Sequence, residues 1–393
     1  MKTIAVIFGG RSAEHDVSIV TAIANIIKPL ELSKKYRVEA IYIAKNGAWF
    51  WDDKLKDIKL FTSGEIDHFV ARSQPASVQF DGGMTLSKSS GLAGRKQHRK
   101  IDVVFPSMHG TYGEDGTLMG LLDMAGVPYV GCSMESAVLA MNKVLAKQVA
   151  EANGVQVTKF VHFSSKQLEQ NPADAVRTVT KNLKYPVFVK PVHLGSSIAI
   201  SRAKDDTELR NGLEVAARYD DVILVEEAVQ NLIEVTLPVM GNHDLTPAYL
   251  EQPEVSAEDF FDFDTKYMSQ GGGKKMGGAK AGGAKQGAQG YSKIPADIPE
   301  ALYGKAEALG LQTYRALGCT GTARIDMLID GKTNEVYFNE ANPLPGSLYA
   351  HNWRQKGISN VELVTRLVEL AEARHHERQT LSTVFTTNFL KQF

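Results

Sequence analysis

Hydrophobic residues along this chain recur with two periods, and the switches between them mark its elements. A continuous apolar run, Ile4 to Phe8, ends at Gly9-Gly10 and gives way to helical spacing, as in a buried strand that turns through glycines into a helix. Further strands are predicted at Val38 to Ile43 and at Asp102 to Pro106. Between them TLSKSSGLAGRKQHRK is polar, basic and glycine-containing, and it reads as an exposed loop. A helix is predicted from about Ser136 to Asn153, followed by alternating strands and helices up to the buried run VILVEEAV. Thr322 to Gly346, TARIDMLIDGKTNEVYFNEANPLPG, alternates as two short strands around a turn centred on Asp330 to Asn334. NVELVTRLVELAEAR then repeats apolar residues at helical spacing. The expected class is α/β with α+β parts: an N-terminal parallel-sheet α/β domain (1–141), a smaller central domain (142–230) and a C-terminal domain (231–393) built round the hairpin.

Composition narrows this picture mainly by exclusion. A chain of 393 residues exceeds one typical core. The net charge of −1 gives no pull toward nucleic acid or an anionic membrane, and the basic stretch lacks the interleaved aromatics of a nucleic-acid surface. The cysteines Cys132 and Cys319 are too few for a disulfide framework and read as small buried hydrophobes. No apolar run reaches membrane-spanning length, and TIAVIFGG is too short for a signal-peptide core, so a cytoplasmic protein is expected.

The hairpin carries the strongest chemical signal. Side chains alternate across a strand, so Arg324 and Asp326 share one face, as do Glu340 and Asn342. With the turn where it is predicted, Asp326 falls opposite Glu340. Two carboxylates, an amide oxygen and a fixed cation then share a surface, and hard oxygen donors of this kind suit Mg²⁺ bound together with substrate phosphates. The plain alternative is an ordinary hairpin with a solvated charged face.

Neither a G-x-x-x-x-G-K-[ST] loop nor a G-x-G-x-x-G motif occurs, so phosphates would have to be held another way. FVKPVHLGSSIAISRA offers one: Lys190 as a point charge, with the backbone N–H groups of Gly195, Ser196 and Ser197 as a cradle. Lys143, ahead of a helix, supplies a second cation. In VILVEEAVQNLIEVTLPV, Glu226 or the Ala228–Val229 backbone is placed to meet an adenine edge, with Glu234 toward the ribose; a buried strand with polar ends is the bland reading. In FGGRSAEHDVS, Glu14 at a strand-to-helix junction is a candidate for an ammonium group, or simply a helix-capping acid. SMHGTYGEDGTLMG is a second glycine-rich strand exit, with His109 and Glu114 where α/β sheets bind ligands. SQGGGKKMGGAKAGGAKQGAQG, Ser269 to Gly290, is low in complexity and reads as a flexible insertion or a mobile lid near 262–295.

Taken in order, FGGRSAEHDVS, HGTYGEDGTLMGLLDMAGVPYVG, FVKPVHLGSS, FDFDTKY…IPA, ARIDMLI and NEANPLPG resemble the D-alanine–D-alanine ligase family of the ATP-grasp superfamily. The resemblance implies a three-domain ATP-grasp architecture and an ATP-dependent enzyme that joins two D-alanines through an acyl phosphate for peptidoglycan precursors. It implies that Lys143, Lys190, Ser197 and Lys266 hold phosphates. Glu226, Ala228 and Val229 would hold the adenine, and Glu234 the ribose. Asp326, Glu340 and Asn342 would hold two Mg²⁺ ions, with Mn²⁺ as a substitute. Glu14 would take the ammonium group of the first D-alanine, with His109 a further substrate-binding candidate, and Ser196 and Tyr267 would link Glu14 to the phosphate loop and the lid. Arg324 and the Gly346 N–H would stabilise the tetrahedral oxyanion, and Ser347 and Leu348 would meet the second substrate. A homodimer is also implied.

Three departures from the family pattern stand out. Asn142 precedes Lys143 where an aspartate is usual; the lid is expanded; and SLYAHNW follows Gly346 where a Thr-Ser-His-Ser-like run is common. The last leaves D-alanine, D-serine and D-lactate open as second substrates. A non-catalytic nucleotide-binding descendant is the reading from another class.

Overall fold

The computed structural model describes residues 1–90, 95–195, 197–253, 292–382 and 386–393. The apolar run at the N-terminus forms the strand Lys2–Gly9, buried from its second residue onward. It pairs in parallel with Tyr36–Ile43 on one side and Val103–Pro106 on the other, and Trp49–Trp51 adds an antiparallel edge. The turn at Gly9-Gly10 leads into one helical run from His15 to Ser33. Its middle, Thr21–Ile27, is wound as a π-helix, a local widening often found beside functional sites.

Two expectations need correcting. The stretch read as an exposed loop is instead part of a three-stranded antiparallel sheet, Ser77–Phe80, Met84–Ser90 and Arg95–Ile101. Met84, Leu86 and Ile101 bury one face against the N-terminal core, while Lys88 is tied to Asp52 at 3.0 Å. Few apolar residues anchor so polar a sheet, which is why no alternation was visible. The helix expected from Ser136 to Asn153 is two helices, Met134–Met141 and Lys143–Ala152. Asn142 sits between them in an extended conformation and caps the second through its side chain.

A second sheet is antiparallel in the order Ser201–Ala203, Val187–Pro191, Val222–Glu227, Phe160–Ser164, with the helices Pro172–Asn182 and Asp206–Ala216 packed on it. A third runs Thr246–Pro247, Leu232–Met240, Thr322–Asp330, Glu335–Asn342, covered by the helix Glu300–Ala316. The helix Asn360–Gln379 returns to the N-terminal sheet, where Leu363, Val364, Leu367 and Val368 join the core of Ile4, Val6 and Phe8. The chain thereby closes on itself, and the second and third sheets face each other across a cleft.

Candidate active site

The hairpin has the register its sequence predicts. Asp326 pairs with Glu340 and Arg324 with Asn342, and the turn is fixed by Asp330, whose carboxylate accepts from Lys332 N–H, and by Asn334 in the left-handed region. Arg324, Asp326 and Glu340 all line a cavity of about 310 Å³. Lys143 lines it from the start of its helix, Lys190, Gly195, Ser197, Glu226 and Val229 from the second sheet and its loops, and Leu232, Glu234 and Thr236 from the third. Phe188, Val229 and Leu328 give one part of it apolar walls, while lysines and carboxylates share the rest.

Charge in this cleft is dense and paired. Arg324 chelates Asp326, Nε to Oδ1 at 2.6 Å with Nη2 on Oδ2, and Asn342 Nδ2 donates to the same Oδ2 at 3.0 Å. Burial is the largest influence on Asp326; together with Glu340 and Glu234 it outweighs the chelating Arg324 and pushes the carboxyl up to about 6. Burial also works against Glu340 as an anion, but Lys143, Arg324 and Lys190 hold its pKa below the usual carboxylate value. Lys143 Nζ lies 3.8 Å from Glu340 and donates to Leu194 O at 2.6 Å, tying the loop that opens at His193 to the hairpin.

Beneath this lies a buried triad that the sequence reading missed. Glu226 is 1 % exposed and sits between two ammonium groups, Lys147 at 2.8 Å and Lys190. Thr158 donates to it at 2.6 Å, whereas Lys190 meets Oε1 as an ion pair with poor hydrogen-bond geometry. Burial would raise this carboxyl, yet Lys147 and Lys190 hold it far below the usual range. Two cations share one anion, so burial and the repulsion of Lys190 lower the Lys147 pKa. The Glu226 carboxylate is thus committed below the cleft and is not spare for a base. The Ala228 N–H is also used, by Pro186 O at 3.0 Å, which leaves Val229 on the wall. One signal for Lys147 was available: Lys143 and Lys147 are four apart in a helix and share a face.

On the N-terminal side, the Glu14 carboxylate lies between two glycine turns. A Cβ on Gly110 would fall 2.9 Å from Glu14 Oε2, and one on Gly195 would fall 3.6 Å from both oxygens. Glu14 is therefore beside both the His109 turn and the Gly195 loop. His109 is buried and shares its Nε2 with Thr21 Oγ1 at 3.1 Å. Burial acts against its charged form, but Glu114 and Glu14 raise its pKa overall. Thr21, the first π-helical residue, also accepts from the Ser347 N–H at 3.2 Å, so the N-terminal domain touches the turn after Gly346.

That turn is strained. Ser347, Leu348 and Tyr349 all adopt φ near +50°, sparsely populated by side-chain-bearing residues. A Cβ at Gly346 would meet nothing within 4 Å, so internal packing does not demand glycine there. Tyr349, another residue that no local pattern singles out, lays its ring 5.0 Å from the Arg324 guanidinium carbon and 5.0 Å from the His351 ring. His351 in turn meets Glu251 at 2.8 Å. Ser196, Lys266 and Tyr267, with the segment Ser269 to Gly290, lie outside the described residues.

Two antiparallel sheets facing each other across a charged cleft, with lysines on one side and carboxylates on the other, are the arrangement of an ATP-grasp type of protein. Residues 3–132 match the D-ala D-ala ligase N-terminus family and residues 149–369 the D-ala D-ala ligase C-terminus family. The chain belongs to the D-alanine–D-alanine ligase family. It is 36% identical to a D-alanine–D-alanine ligase of Chloroherpeton thalassium, over 96% of this chain and 98% of that protein. Among solved structures it resembles the D-alanine–D-alanine ligase from Coxiella burnetii (TM-score 0.75, 27% identity, 97% of this chain and 98% of the other). The VanG D-Ala:D-Ser ligase from Enterococcus faecalis is similar to the same degree (TM-score 0.75, 29% identity, 94% and 99%).

Proposed function

We propose that this protein joins two molecules of D-alanine, coupled to cleavage of ATP to ADP and phosphate. The observation that carries the reading is the cleft itself: Lys143, Lys190 and Arg324 face Glu234, Asp326 and Glu340, with Glu14 brought onto the phosphate loop. In this reading the phosphates lie against Lys143, Lys190 and the Gly195–Ser197 loop, the base against Val229 and Phe188, and the ribose near Glu234. Glu14 holds the ammonium of the first D-alanine. A carboxylate oxygen of that substrate forms a bond to the γ-phosphorus as the bond to ADP breaks, giving an acyl phosphate. The amine of the second substrate attacks the acyl carbon, loses a proton, and inorganic phosphate departs. Arg324 and the Gly346 N–H are assigned to the tetrahedral oxyanion, a contribution of roughly 3–4 kcal/mol for one such donor in other enzymes. Lysines opposite a phosphate offset the repulsion between an attacking carboxylate and a polyphosphate.

The donor set fits a divalent ion. Asp326, Glu340 and Asn342 offer hard oxygens from opposed strands, and burial, with the repulsion of Glu340 and Glu234, already raises Asp326. Mg²⁺ or Mn²⁺ held there would supply neutralising charge to the phosphate oxygens. Both Asp326 oxygens are also occupied by Arg324, so metal and oxyanion roles draw on one carboxylate.

A second reading, D-serine as second substrate, is favoured by one feature: SLYAHNW puts Tyr349 beside Arg324, with His351 against that tyrosine. The likeness to a D-Ala:D-Ser ligase agrees with it. The division at 141/142 and 230/231, a homodimer and a cytoplasmic setting belong to the same proposal. No described helix is long and apolar enough to cross a membrane. ADP release is the test, measured with D-alanine alone and with D-serine or D-lactate added. D-alanine-dependent release with dipeptide formed is expected; ADP release indifferent to D-alanine would remove the proposal.

A further inference from the structure

Asn142 stands where the family pattern has an acid, and the structure gives its side chain two hydrogen bonds. Its Oδ1 accepts from the Leu145 N–H at 2.9 Å and caps the helix that carries Lys143 and Lys147. Its Nδ2 is then the atom left to meet His193 Nε2, at 2.9 Å. The amide orientation is assigned from this network, and it fixes the imidazole. A donating Nδ2 needs a lone pair on Nε2, so the ring proton is on Nδ1, where Asp220 Oδ1 accepts it at 2.9 Å. Asp220 Oδ2 also takes the His193 N–H at 2.6 Å.

His193 opens the loop that runs to Gly195 and Ser197, and Lys143 is the first residue of the capped helix. The two are stitched further by Lys143 N–H to Val192 O at 3.3 Å and Lys143 Nζ to Leu194 O at 2.6 Å. We infer that Asn142 and His193 form a positioning relay, from Asp220 through the imidazole to the helix cap, which sets Lys143 against the phosphate loop only while His193 is neutral. This rests on the nucleotide-binding reading of the cleft.

The relay has a sign. Protonation at Nε2 sets an N–H against the Asn142 amide N–H₂ group. Asn142 must then turn over, losing the Leu145 cap, or withdraw from the ring. The charged groups facing His193 are Asp220 and Asp221, which favour the imidazolium, and Lys143, which opposes it. The Asp220 hydrogen bond is the largest influence and raises the His193 pKa, so the imidazole titrates above its ordinary value of 6.5. The neutral relay is complete above that titration and is lost as pH falls through it. In Asn142→Asp, a carboxylate accepts from both the Leu145 N–H and a protonated Nε2, so the same ring holds the cap when charged.

The test uses the full chain and two readouts. Histidine ¹⁵N shifts of the wild type at pH about 8.5 should show His193 as the Nδ1–H tautomer, and Asn142→Asp should move its titration to higher pH. In D-alanine-dependent ADP release, the wild-type KM for ATP should rise about threefold between pH about 8.5 and about 6, beyond any change in Asn142→Asp. Asn142→Ala should show the higher KM at both pH values, and His193→Gln should lose the pH dependence. An Nε2–H tautomer, or an Asn142→Asp enzyme whose KM for ATP follows the wild type at both pH values, would overturn the relay. Failure of the functional reading looks different: wild-type ADP release would ignore D-alanine, while the NMR arm would still report the tautomer.

Discussion

Replacing Lys147 by methionine probes the floor of the cleft without touching its walls. Methionine preserves much of the length of the lysine stem and removes only the ammonium, which is 1 % exposed and contacts Glu226 at 2.8 Å, Thr158 Oγ1 at 3.1 Å and Phe338 O at 3.3 Å. Removing one partner of a buried ion pair typically costs about 3–5 kcal/mol, because the other charge stays buried. Lys190 and Thr158 remain on Glu226, which sets the expectation at the lower end, about 3 kcal/mol. Lys190 would then be the sole cation on Glu226 and less available to phosphate, so the KM for ATP should rise too. Urea unfolding followed by circular dichroism reads the first effect. With a slope of about 3 kcal/mol/M the midpoint should fall by about 1 M. The double variant Lys147→Met/Glu226→Gln, which leaves no unpaired anion, should recover a substantial part of the loss. A midpoint shift below about 0.3 M, or a double variant as unstable as the sum of the singles, would refute the buried-charge argument.

Glu340→Gln should leave the circular dichroism spectrum and unfolding midpoint close to wild type while abolishing D-alanine-dependent ADP release, because it withdraws a charged oxygen from the cleft and not from the core; near-normal turnover would contradict its assignment. Asp220 responds to pH in a defined direction. Burial acts to raise its pKa, but the hydrogen bonds from His193 win and lower it from 3.8 to about 2. A depressed carboxyl contributes stability that is full above its unfolded value and lost as pH falls through the folded one. The melting temperature of Asp220→Asn should therefore fall below wild type at neutral pH, with the gap closing between pH 3.8 and about 2. A gap that is constant with pH would show that Asp220 acts without its charge.

Much of the cleft was legible because it depends on short-range rules. Alternation and a turn at Asp330 to Asn334 bring Asp326 to within one position of Glu340, and a bulge between Asp326 and Met327, which the pattern does not show, completes the pair. Lys143, Lys190, Glu226, Val229 and Glu234 could likewise be placed on one cavity from strand exits and order along the chain. What stayed hidden depends on distant partners. Lys147 looks like an ordinary helix-face lysine until Thr158, Glu226 and Phe338 are folded over it. Tyr349 follows an apolar leucine in a strained turn, and nothing in the local pattern points its ring at Arg324. The two misjudged elements share a cause: local signals are weak where a few residues decide. Met84, Leu86 and Ile101 are enough to hold a polar sheet, and one asparagine breaks an otherwise continuous helix.

The central claim is that the hairpin carboxylates grip divalent ions beneath a nucleotide held by Lys143 and Lys190. Anomalous diffraction from crystals grown with ADP and Mn²⁺ tests it most directly. The account predicts manganese peaks among Asp326, Glu340 and Asn342, with the diphosphate alongside the two lysines. Peaks confined to the surface group His193, Asp220 and Asp221, or ADP bound away from this cleft, would contradict it.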